Sequence, residues 1–451
     1  MTSVLEEAKA LEGDIIADRR WLHEHPEIGF DLPQTTAYVA ERLREIGLEP
    51  EEIVPGGLVA TIGDPSAGRC FMLRADMDAL PIKEETGLPF ASPTDYMHAC
   101  GHDTHTAMLL GAARILKGRE AELPGCVKLM FQPDEEGCAP DEICGNEAMI
   151  NAGVLENPHV DAATAIHLMP FDYRLGEIAT RPGTGFSSID DIDIVVHGKG
   201  GHGSRPHQLV DPFNIACHIF FGAQNLIARE LDPNDQAVIT FGAINGGTAA
   251  NIVPDDVHLL GTLRTIDEGT RAHLKERMEA MCRGIAEGFG GSVDVRFLRG
   301  VPSVYNDPDL TDELIGYVED LTGRPVTILD KPISGSDDMS VISQAVPTTY
   351  FVMGTGSEDE GVRYPVHNSR VVFDESVFVE GAAMTATMAL RWLEARARDD
   401  KENERLARAR TRSWRRKPPR ARPSPRPPSP AARRSARRKA HRTPSSSSWR
   451  A

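Results

Sequence analysis

The segment His98-Ala-Cys-Gly-His-Asp-Thr-His105 places one thiol, three imidazoles and one carboxylate within eight residues. Gly101 lets the backbone turn tightly between Cys100 and His102, so that both side chains can point at one ion. Thiolate and imidazole are the ligand types that zinc and its neighbouring transition metals prefer. The alternative is a polar loop that opens the apolar helix predicted for residues 106–116, because short metal motifs also occur by chance. The segment therefore predicts a metal site whose remaining ligands lie elsewhere in the chain.

The composition indicates a folded protein of two or three domains. The chain has 451 residues, of which 40% are hydrophobic and 26% charged, and it is long enough to bury a large core. No apolar run approaches the about 20 residues that cross a bilayer, so we expect no transmembrane helix. Seven scattered cysteines do not indicate a disulfide framework, and the acidic N-terminus lacks the pattern of a secretory signal. We therefore expect a cytoplasmic protein.

The charge divides sharply at residue 405. The formal net charge is -18, but 17 of the 49 basic residues lie between Arg405 and Ala451, which leaves 32 basic against all 67 acidic residues in 1–404. An acidic, lysine-poor surface repels nucleic acid and stays soluble when salt screens charge. This balance indicates a halophilic protein from a salt-rich cytoplasm, a hypothesis that full stability in the absence of salt would contradict.

The C-terminal residues 397–451 form a basic tail rich in arginine, proline and serine. Such a composition buries too little apolar surface to fold, so we expect the tail to be disordered. It can be interpreted as a nucleic-acid-binding arm, which conflicts with the acidic body, or as out-of-frame translation of a GC-rich gene. We favour the second interpretation and expect no nucleic-acid partner and no membrane partner.

Chelating side chains follow several predicted strands in succession. In open parallel α/β sheets, ligands gather at the carboxyl ends of the strands, and helical segments alternate with the strands here as such a sheet requires. The groups are Asp76 and Asp78 after a strand at 70–74, Glu135 and Glu136 after a strand at 127–131, and His167 at the tip of a strand at 162–166. The pattern predicts that these side chains meet at one edge of a sheet.

The two adjacent glutamates are bracketed by Pro133 and Gly137, as a fixed loop requires. Adjacent side chains diverge, so one carboxylate can bind a metal while the other faces the reacting water. A solvated turn is the alternative. His23 and His25 flank a loop without a turn-forming glycine, and we expect them to serve packing or capping rather than metal binding.

Residues 187–299 differ in pattern from the rest. Their predicted order β-α-β-β-α-β is that of a ferredoxin-like sandwich, which we expect to be inserted between two parts of a catalytic domain, residues 1–186 and 300–396. The glycine-rich segment 197–207 lacks the Gly-Lys-Ser/Thr of a phosphate-binding loop. We expect it instead to present His202 to another surface, as the turns at 246–251 would present Asn251.

Four motifs occur in order and are followed by Asn251-Ile-Val-Pro254 and His367. They are Leu73-Arg-Ala-Asp-Met-Asp-Ala-Leu-Pro81, the segment 98–105, Phe131-Gln-Pro-Asp-Glu-Glu-Gly137 and Gly200-Gly-His-Gly-Ser-Arg-Pro-His207. This succession resembles the metal-dependent amidohydrolases of the aminoacylase and carboxypeptidase superfamily. It is most similar to the branch of hippurate hydrolases, N-acyl-amino-acid amidohydrolases and indole-acetyl-amino-acid hydrolases. The resemblance covers residues 10 to about 396.

The resemblance implies an α/β fold in which a two-metal, aminopeptidase-like catalytic domain carries an inserted ferredoxin-like lid. The lid usually mediates dimerisation, so we expect a homodimer or higher homo-oligomer. Two divalent ions per subunit are implied, zinc or manganese, with cobalt or nickel as alternatives. The implied metal ligands are Cys100, His102, Glu136, His167 and His367.

The resemblance also assigns the remaining roles. Glu135 would be the general base, and His202 would reach the substrate carbonyl from the lid of the partner subunit. Asn251 and Arg264 would contact the substrate. Asp76 and Asp78 would hydrogen-bond to the metal ligands and orient them without binding metal themselves. This assignment follows because related branches have a histidine at the position of Asp76. Thr104 and Asp134 depart from the glycine and alanine that are common at their positions, which adds bulk or charge near the site.

The implied reaction is hydrolysis of the amide bond of small N-acyl amino acids of the hippurate or N-acetyl type. The enzymatic alternative is a dipeptidase or carboxypeptidase on the same scaffold. A binding protein that has lost the chemistry is a third interpretation, and the presence of all six metal and base residues argues against it.

Overall fold

The computed structural model describes residues 3–137 and 143–415, with side chains described as far as residue 401. Within these ranges helices and strands alternate along the chain. The helices are α1 Val4–Ala10, α2 Glu12–Glu24, α3 Pro33–Glu45, α4 His102–Gly118, α5 Gly145–Asn151, α6 Pro212–Glu230, α7 Glu268–Gly288, α8 Pro308–Thr322, α9 Met339–Ser343 and α10 Phe378–Arg415. The strands are β1 Glu51–Val54, β2 Gly57–Gly63, β3 Cys70–Asp76, β4 Cys126–Gln132, β5 Ala162–Phe171, β6 Ile178–Thr180, β7 Gly183–Phe186, β8 Ile189–His197, β9 Gly201–His202, β10 Ala237–Asn245, β11 Ile252–Val253, β12 Asp256–Thr265, β13 Ser292–Val301, β14 Val304–Asn306, β15 Thr327–Ile328 and β16 Thr348–Ser357.

The larger sheet has eight strands in the order β1-β2-β4-β3-β5-β16-β6-β15. Its four central strands, β4, β3, β5 and β16, are mutually parallel, whereas β2 and β6 join them antiparallel. The mixed α/β sheet that the sequence predicts is therefore confirmed. Because the central strands are parallel, their carboxyl ends lie at the same edge.

Helices cover both faces of this sheet. One face packs with α2, α3, α4, α8 and α10 around a continuous apolar core, and the other packs with α5 and α9 around a second core. Every residue of β3 and β4 is buried, as central strands covered by helices on both faces require. The strands that lead to the chelating residues are thus held rigidly from both sides.

Helix α4 begins at His102, four residues before the expected start at Thr106. Gly101 precedes it with φ of 96°, a left-handed conformation that favours glycine. A Cβ at this position would lie 2.8 Å from the ring of Phe373, so the glycine is also required by packing. The early start turns the second half of the metal motif into the first turn of a buried helix.

The smaller sheet has four antiparallel strands in the order β10-β12-β8-β13. With α6 and α7 packed on one face, the chain order of its elements is β-α-β-β-α-β, and the sheet has an apolar core of its own. These features support our proposal that residues 187–299 are an inserted domain. Up to Arg398 the described chain forms one compact unit.

Helix α10 continues to Arg415, well beyond the expected end near Ala395. Residues 397–415, which we expected to be disordered, are therefore helical, since arginine, alanine and glutamate are strong helix formers. The rest of the predicted tail, 416–451, lies outside the described residues. Among the helices of the described ranges, none combines the length and apolarity that crossing a membrane requires.

Candidate metal centre

The side chains that follow the central parallel strands meet at one edge of the larger sheet, as the sequence predicts. Asp76 ends β3, and Glu135 and Glu136 follow β4 by three and four residues. His167 does not end its strand, because β5 continues to Phe171 alongside β16. His367 follows β16 and has φ of 65°, an uncommon conformation for a non-glycine residue.

Cys100 lies at the centre of the cluster. Its Sγ is 3.4 Å from Nε2 of His167 and 3.3 Å from Nε2 of His367. His367 in turn lies 3.2 Å from Oε1 of Glu136. Two groups of possible ligand atoms overlap at this thiol, one formed with His102 and His167 and the other with Glu136 and His367. All five predicted metal ligands are therefore brought together.

The donor set fits divalent metal ions. Nε2 of His102 is buried and has no hydrogen-bond partner among the described residues, although its Nδ1 is engaged by Asp78. An orphaned buried nitrogen is costly unless another group binds it. One thiolate, three imidazoles and carboxylates are the ligands of zinc and similar metals. Burial and the charge of Glu136 raise the pKa of the Cys100 thiol well above its usual value, and coordination to a cation reverses such a shift.

Asp78 orients His102, one of the predicted ligands, and the loop that carries Glu135 and Glu136. Its carboxylate and carbonyl oxygens lie 3.2 and 2.9 Å from Nδ1 of His102, which fixes the tautomer that leaves Nε2 bare. Its second carboxylate oxygen accepts a hydrogen bond of 3.1 Å from the backbone N–H of Glu136. This geometry fits the supporting role proposed for Asp78.

Asp76 is fully buried and lies among positive charges. Burial opposes its ionisation, but the charges of Arg74 and His102 outweigh that effect and hold the pKa of Asp76 well below its usual value. Its Oδ1 lies 2.7 Å from Nδ1 of His105, and the Nε2 of that ring accepts a hydrogen bond from the backbone N–H of Leu168. Both nitrogens of His105 are thereby engaged, so this histidine links β3 to β5 rather than binding metal.

The three histidines of the sequence motif thus have different surroundings. His102 points a bare nitrogen at the cluster, and His105 supports Asp76. His98 is buried, and neither of its ring nitrogens has a hydrogen-bond partner among the described residues. Burial lowers the pKa of His98 to about 3, so it is neutral. Spacing within the motif did not distinguish these three environments.

Glu135 has the electrostatic environment of a general base. Its Oε2 is 3.7 Å from Nε2 of His102, and its Oε1 is 3.4 Å from the backbone nitrogen of Asp338, which donates to it. Burial, followed by the charges of Asp337 and Glu136, raises the pKa of Glu135 well above its usual value. A carboxylate with a raised pKa both accepts a proton and returns it efficiently near neutral pH.

A buried polar network behind Glu135 was not assigned from the sequence. Arg74 donates to Asp76 and to Asp338, and Tyr350 donates to Asp337. The sequence shows an acidic segment at 334–339, which contains Asp337 and Asp338. Residue spacing does not indicate where in the fold this segment lies. Arg74 is the cation that offsets these carboxylates, and it lies inside the buried strand β3.

A cavity of about 390 Å³ opens onto the cluster. Arg264 lines it, together with Glu135 and several of the predicted ligands. Neither His202 nor Asn251 is among its lining residues in the described chain. The two lie next to each other instead, because the backbone N–H of Gly203 donates to the carbonyl of Asn251 and β9 pairs with β11.

The two N-terminal histidines have structural roles, as expected. Nδ1 of His23 lies 2.7 Å from Asp103, and the ring is buried. Nδ1 of His25 lies 2.7 Å from the carbonyl of Trp21, and the two rings stack.

We predict that Asp78→Ala lowers metal affinity by about 10- to 100-fold, because His102 loses the partner that fixes its tautomer and orientation. Competition with a chromogenic chelator measures this. The matched control is Asp161→Ala, which removes a carboxylate that caps the backbone N–H of Cys70 at the opposite edge of the same sheet. Equal metal affinity in the two variants would contradict the prediction.

Comparisons with known proteins agree with this geometry. Residues 72–391 match the Peptidase family M20/M25/M40. Thermostable carboxypeptidase 1 of Saccharolobus solfataricus is 38% identical over 390 residues, which are 86% of this chain and 97% of that protein. N-acetylcysteine deacetylase of Bacillus subtilis is 34% identical, with 86% and 98% covered. Hippurate hydrolase of Campylobacter jejuni is 33% identical, with 87% and 100% covered.

The fold also has solved counterparts. The YXEP protein of Bacillus subtilis, a dinuclear metal binding peptidase from the M20 family, superposes with a TM-score of 0.73 at 32% identity. The match covers 86% of this chain and 99% of that one. The resemblance to the hippurate hydrolase and aminoacylase branch is thus confirmed. The chain belongs to peptidase family M20/M25/M40 and is a metal-binding hydrolase of that family that acts on amides.

Proposed function

We propose that the protein hydrolyses the amide bond of N-acyl amino acids of the hippurate or N-acetyl type. The observation that carries this proposal is a single cavity that contains both the metal-ligand cluster with Glu135 and the guanidinium of Arg264. An N-acyl amino acid has a scissile amide and a carboxylate about two bonds apart. The cavity offers a group for each.

Arg264 suits the carboxylate of the substrate. Its side chain donates a long hydrogen bond of 3.4 Å to Oγ of Ser336, and it lies on β12 and lines the cavity. A guanidinium binds a carboxylate with two parallel hydrogen bonds, which gives both affinity and orientation. Arg299 also lines the cavity, but it donates to Asp191 and to the carbonyl of Gly137.

The cavity also has an apolar wall that suits an acyl group or an amino-acid side chain. Met169, Phe186 and Ile333 contribute to it. Ligand sites that combine such walls with a few convergent polar groups are typical of small-molecule enzymes. We therefore propose a small N-acyl amino acid as the partner molecule.

In the proposed mechanism the chain supplies a ligand set and a base. Cys100, His102, Glu136, His167 and His367 would hold two divalent ions, which supply Lewis-acid chemistry that lowers the pKa of water and polarises a carbonyl. Glu135 accepts a proton from the attacking water and returns it to the amide nitrogen when the C–N bond breaks. Arg264 holds the carboxylate, so that the amide lies beside Glu135.

We propose zinc or manganese as the metal, with cobalt or nickel as alternatives. The thiolate of Cys100 favours the softer ions of this group, whereas the carboxylates also suit manganese.

We also propose that a second copy of the chain completes the site. His202 and Asn251 lie together on the inserted domain but not at the cavity, so a partner's His202 would have to stabilise the oxyanion. Strand β10 is at an edge of its sheet, and Val238 and Ile244 on it are exposed, as is Phe221 on α6. Such unpaired edges and apolar patches favour self-association.

A carboxypeptidase is the second candidate. A groove of about 510 Å³ on the open face of the smaller sheet adjoins the cavity, since Asp191 and Arg299 line both. This extra room would accommodate a longer acyl group, and a relative named carboxypeptidase is 38% identical. Comparing kcat/KM for hippurate, N-acetyl amino acids and blocked dipeptides separates the two candidates. A preference of tenfold or more for the peptides would favour the carboxypeptidase.

The acidic body of the chain supports two further proposals, a cytoplasmic location and a halophilic origin. An excess of carboxylates over cations keeps a protein soluble where salt screens its charge.

We predict that Glu135→Gln retains the bound metal but lowers kcat by about 10²- to 10⁴-fold, because the water loses its proton acceptor. Elemental analysis and steady-state kinetics on the best substrate measure the two quantities. Glu136→Gln is the matched control, since it removes a proposed ligand and should lower metal content as well. Turnover within threefold of the wild type would remove Glu135 from the role of base.

A mixing experiment tests the contribution of the partner subunit. His202→Ala and Glu135→Gln should each be nearly inactive alone. After the two are unfolded together and refolded, about a quarter of the wild-type activity should return, because half of the random dimers are mixed and each contains one complete site. Mixing two Glu135→Gln preparations is the control. No gain on mixing, with dimers present by light scattering, would contradict a site shared between subunits.

A further inference from the structure

The two adjacent glutamates lie between the end of β4 at Gln132 and the start of α5 at Gly145, in a loop of which the structure describes residues 133–137 and 143–144. Glu135 is the proposed base and Glu136 a proposed ligand, so the position of this loop determines the distance between the base and the metal ligands. Misplacement of a reacting group by about 1 Å costs on the order of 10²-fold in rate. The contacts that fix this loop should therefore influence the catalytic rate.

One carboxylate binds both ends of the loop. At the first end, Nε2 of Gln132 donates to both oxygens of Asp338, at 2.7 Å each. At the second end, Asn146 donates to Asp338 through its backbone nitrogen at 3.0 Å and through its side-chain nitrogen at 2.7 Å. Asp338, Gln132 and Asn146 are all buried. The contacts are thus protected from competition with water.

The third side chain that faces Asp338 is also a donor. Arg74 on β3 donates to its Oδ1 at 3.0 Å, which joins the loop to the strand that ends in Asp76. The backbone nitrogen of Asp338 donates to Oε1 of Glu135 itself. Asp338 thereby connects the base, both ends of its loop and the strand that supports the metal ligands.

The side chain at position 338 has to accept hydrogen bonds rather than donate them. Gln132, Asn146 and Arg74 each present N–H groups to Asp338, and an ionised carboxylate accepts several such bonds without offering a hydrogen of its own. An asparagine has the same shape but presents an NH₂ group to these donors. Breaking a buried network of this kind leaves donors unpaired, and the chain relieves that cost by moving.

We propose that Asp338 is a positioning residue that holds Glu135 at its working place by binding both ends of the glutamate loop. This inference rests on the proposed function of Glu135. It assigns Asp338 no contact with the substrate or the reacting water. Its effect should therefore appear in kcat rather than in substrate binding or metal content.

The test compares Asp338→Asn with the wild type in the metal-loaded enzyme. We expect kcat to fall by about 100-fold, KM to stay within threefold, and metal content to stay unchanged. The exchange variant Asp338→Asn/Asn146→Asp returns an acceptor to one end of the loop and should recover at least tenfold in kcat. A residue that serves stability alone would not show this recovery.

Two controls keep the outcomes distinct. Asp161→Asn, at the opposite edge of the same sheet, should leave kcat unchanged. Asn146→Ala removes the side-chain hydrogen bond at one end of the loop but keeps the backbone one. It should lower kcat by about tenfold, which provides a test if Asp338→Asn does not fold. Unchanged kcat in folded Asp338→Asn or folded Asn146→Ala, or a loss of kcat in proportion to lost metal, would overturn the proposal.

Glu135→Gln, measured in parallel, separates this proposal from the proposed function. If Glu135→Gln is inactive and Asp338→Asn retains full kcat, only the positioning role fails. If Glu135→Gln retains full turnover, the proposed base is wrong, and the positioning role fails with it.

Discussion

The parallel arrangement of β4, β3, β5 and β16 is the constraint on which the rest of the structure depends. Parallel strands end at one edge, so segments far apart in the chain deliver their polar side chains to one place. Buried helices on both faces fix the strands, and Gly101 lets α4 begin at that edge. The cluster around Cys100 is a consequence of this topology, and no single segment of the chain could assemble it.

Gathering so many charges in a buried place is costly, and the structure offsets the cost with partners behind the cluster. Asp78 engages His102, His105 engages Asp76, and Arg74 lies among Asp76, Asp337 and Asp338. Removing one member of such a network leaves an uncompensated buried charge, which is strongly destabilising. The supporting residues are therefore as much a part of the site as the ligands. Divalent ions bound by the cluster around Cys100 would offset the charge of its thiolate and carboxylates.

The sequence predicted the mixed sheet, the order of elements in residues 187–299 and the convergence of the five proposed ligands. These predictions succeeded because apolar runs and strand-end positions follow rules of periodicity and topology. The sequence did not distinguish the three histidines of the segment 98–105, nor did it assign Arg74 or Asp338. Those roles depend on which buried partner each side chain meets, and residue spacing carries no such information. The extension of α10 was not predicted because a composition that buries little apolar surface was taken to exclude ordered structure.

The central claim is that amide hydrolysis depends on metal held by the cluster around Cys100. Elemental analysis of the purified protein, combined with hydrolysis of hippurate and N-acetyl amino acids before and after chelation, tests it most directly. The account predicts about two metal ions per chain, loss of hydrolysis on chelation and its return when zinc or manganese is added back. Full hydrolysis by protein stripped of metal would contradict it.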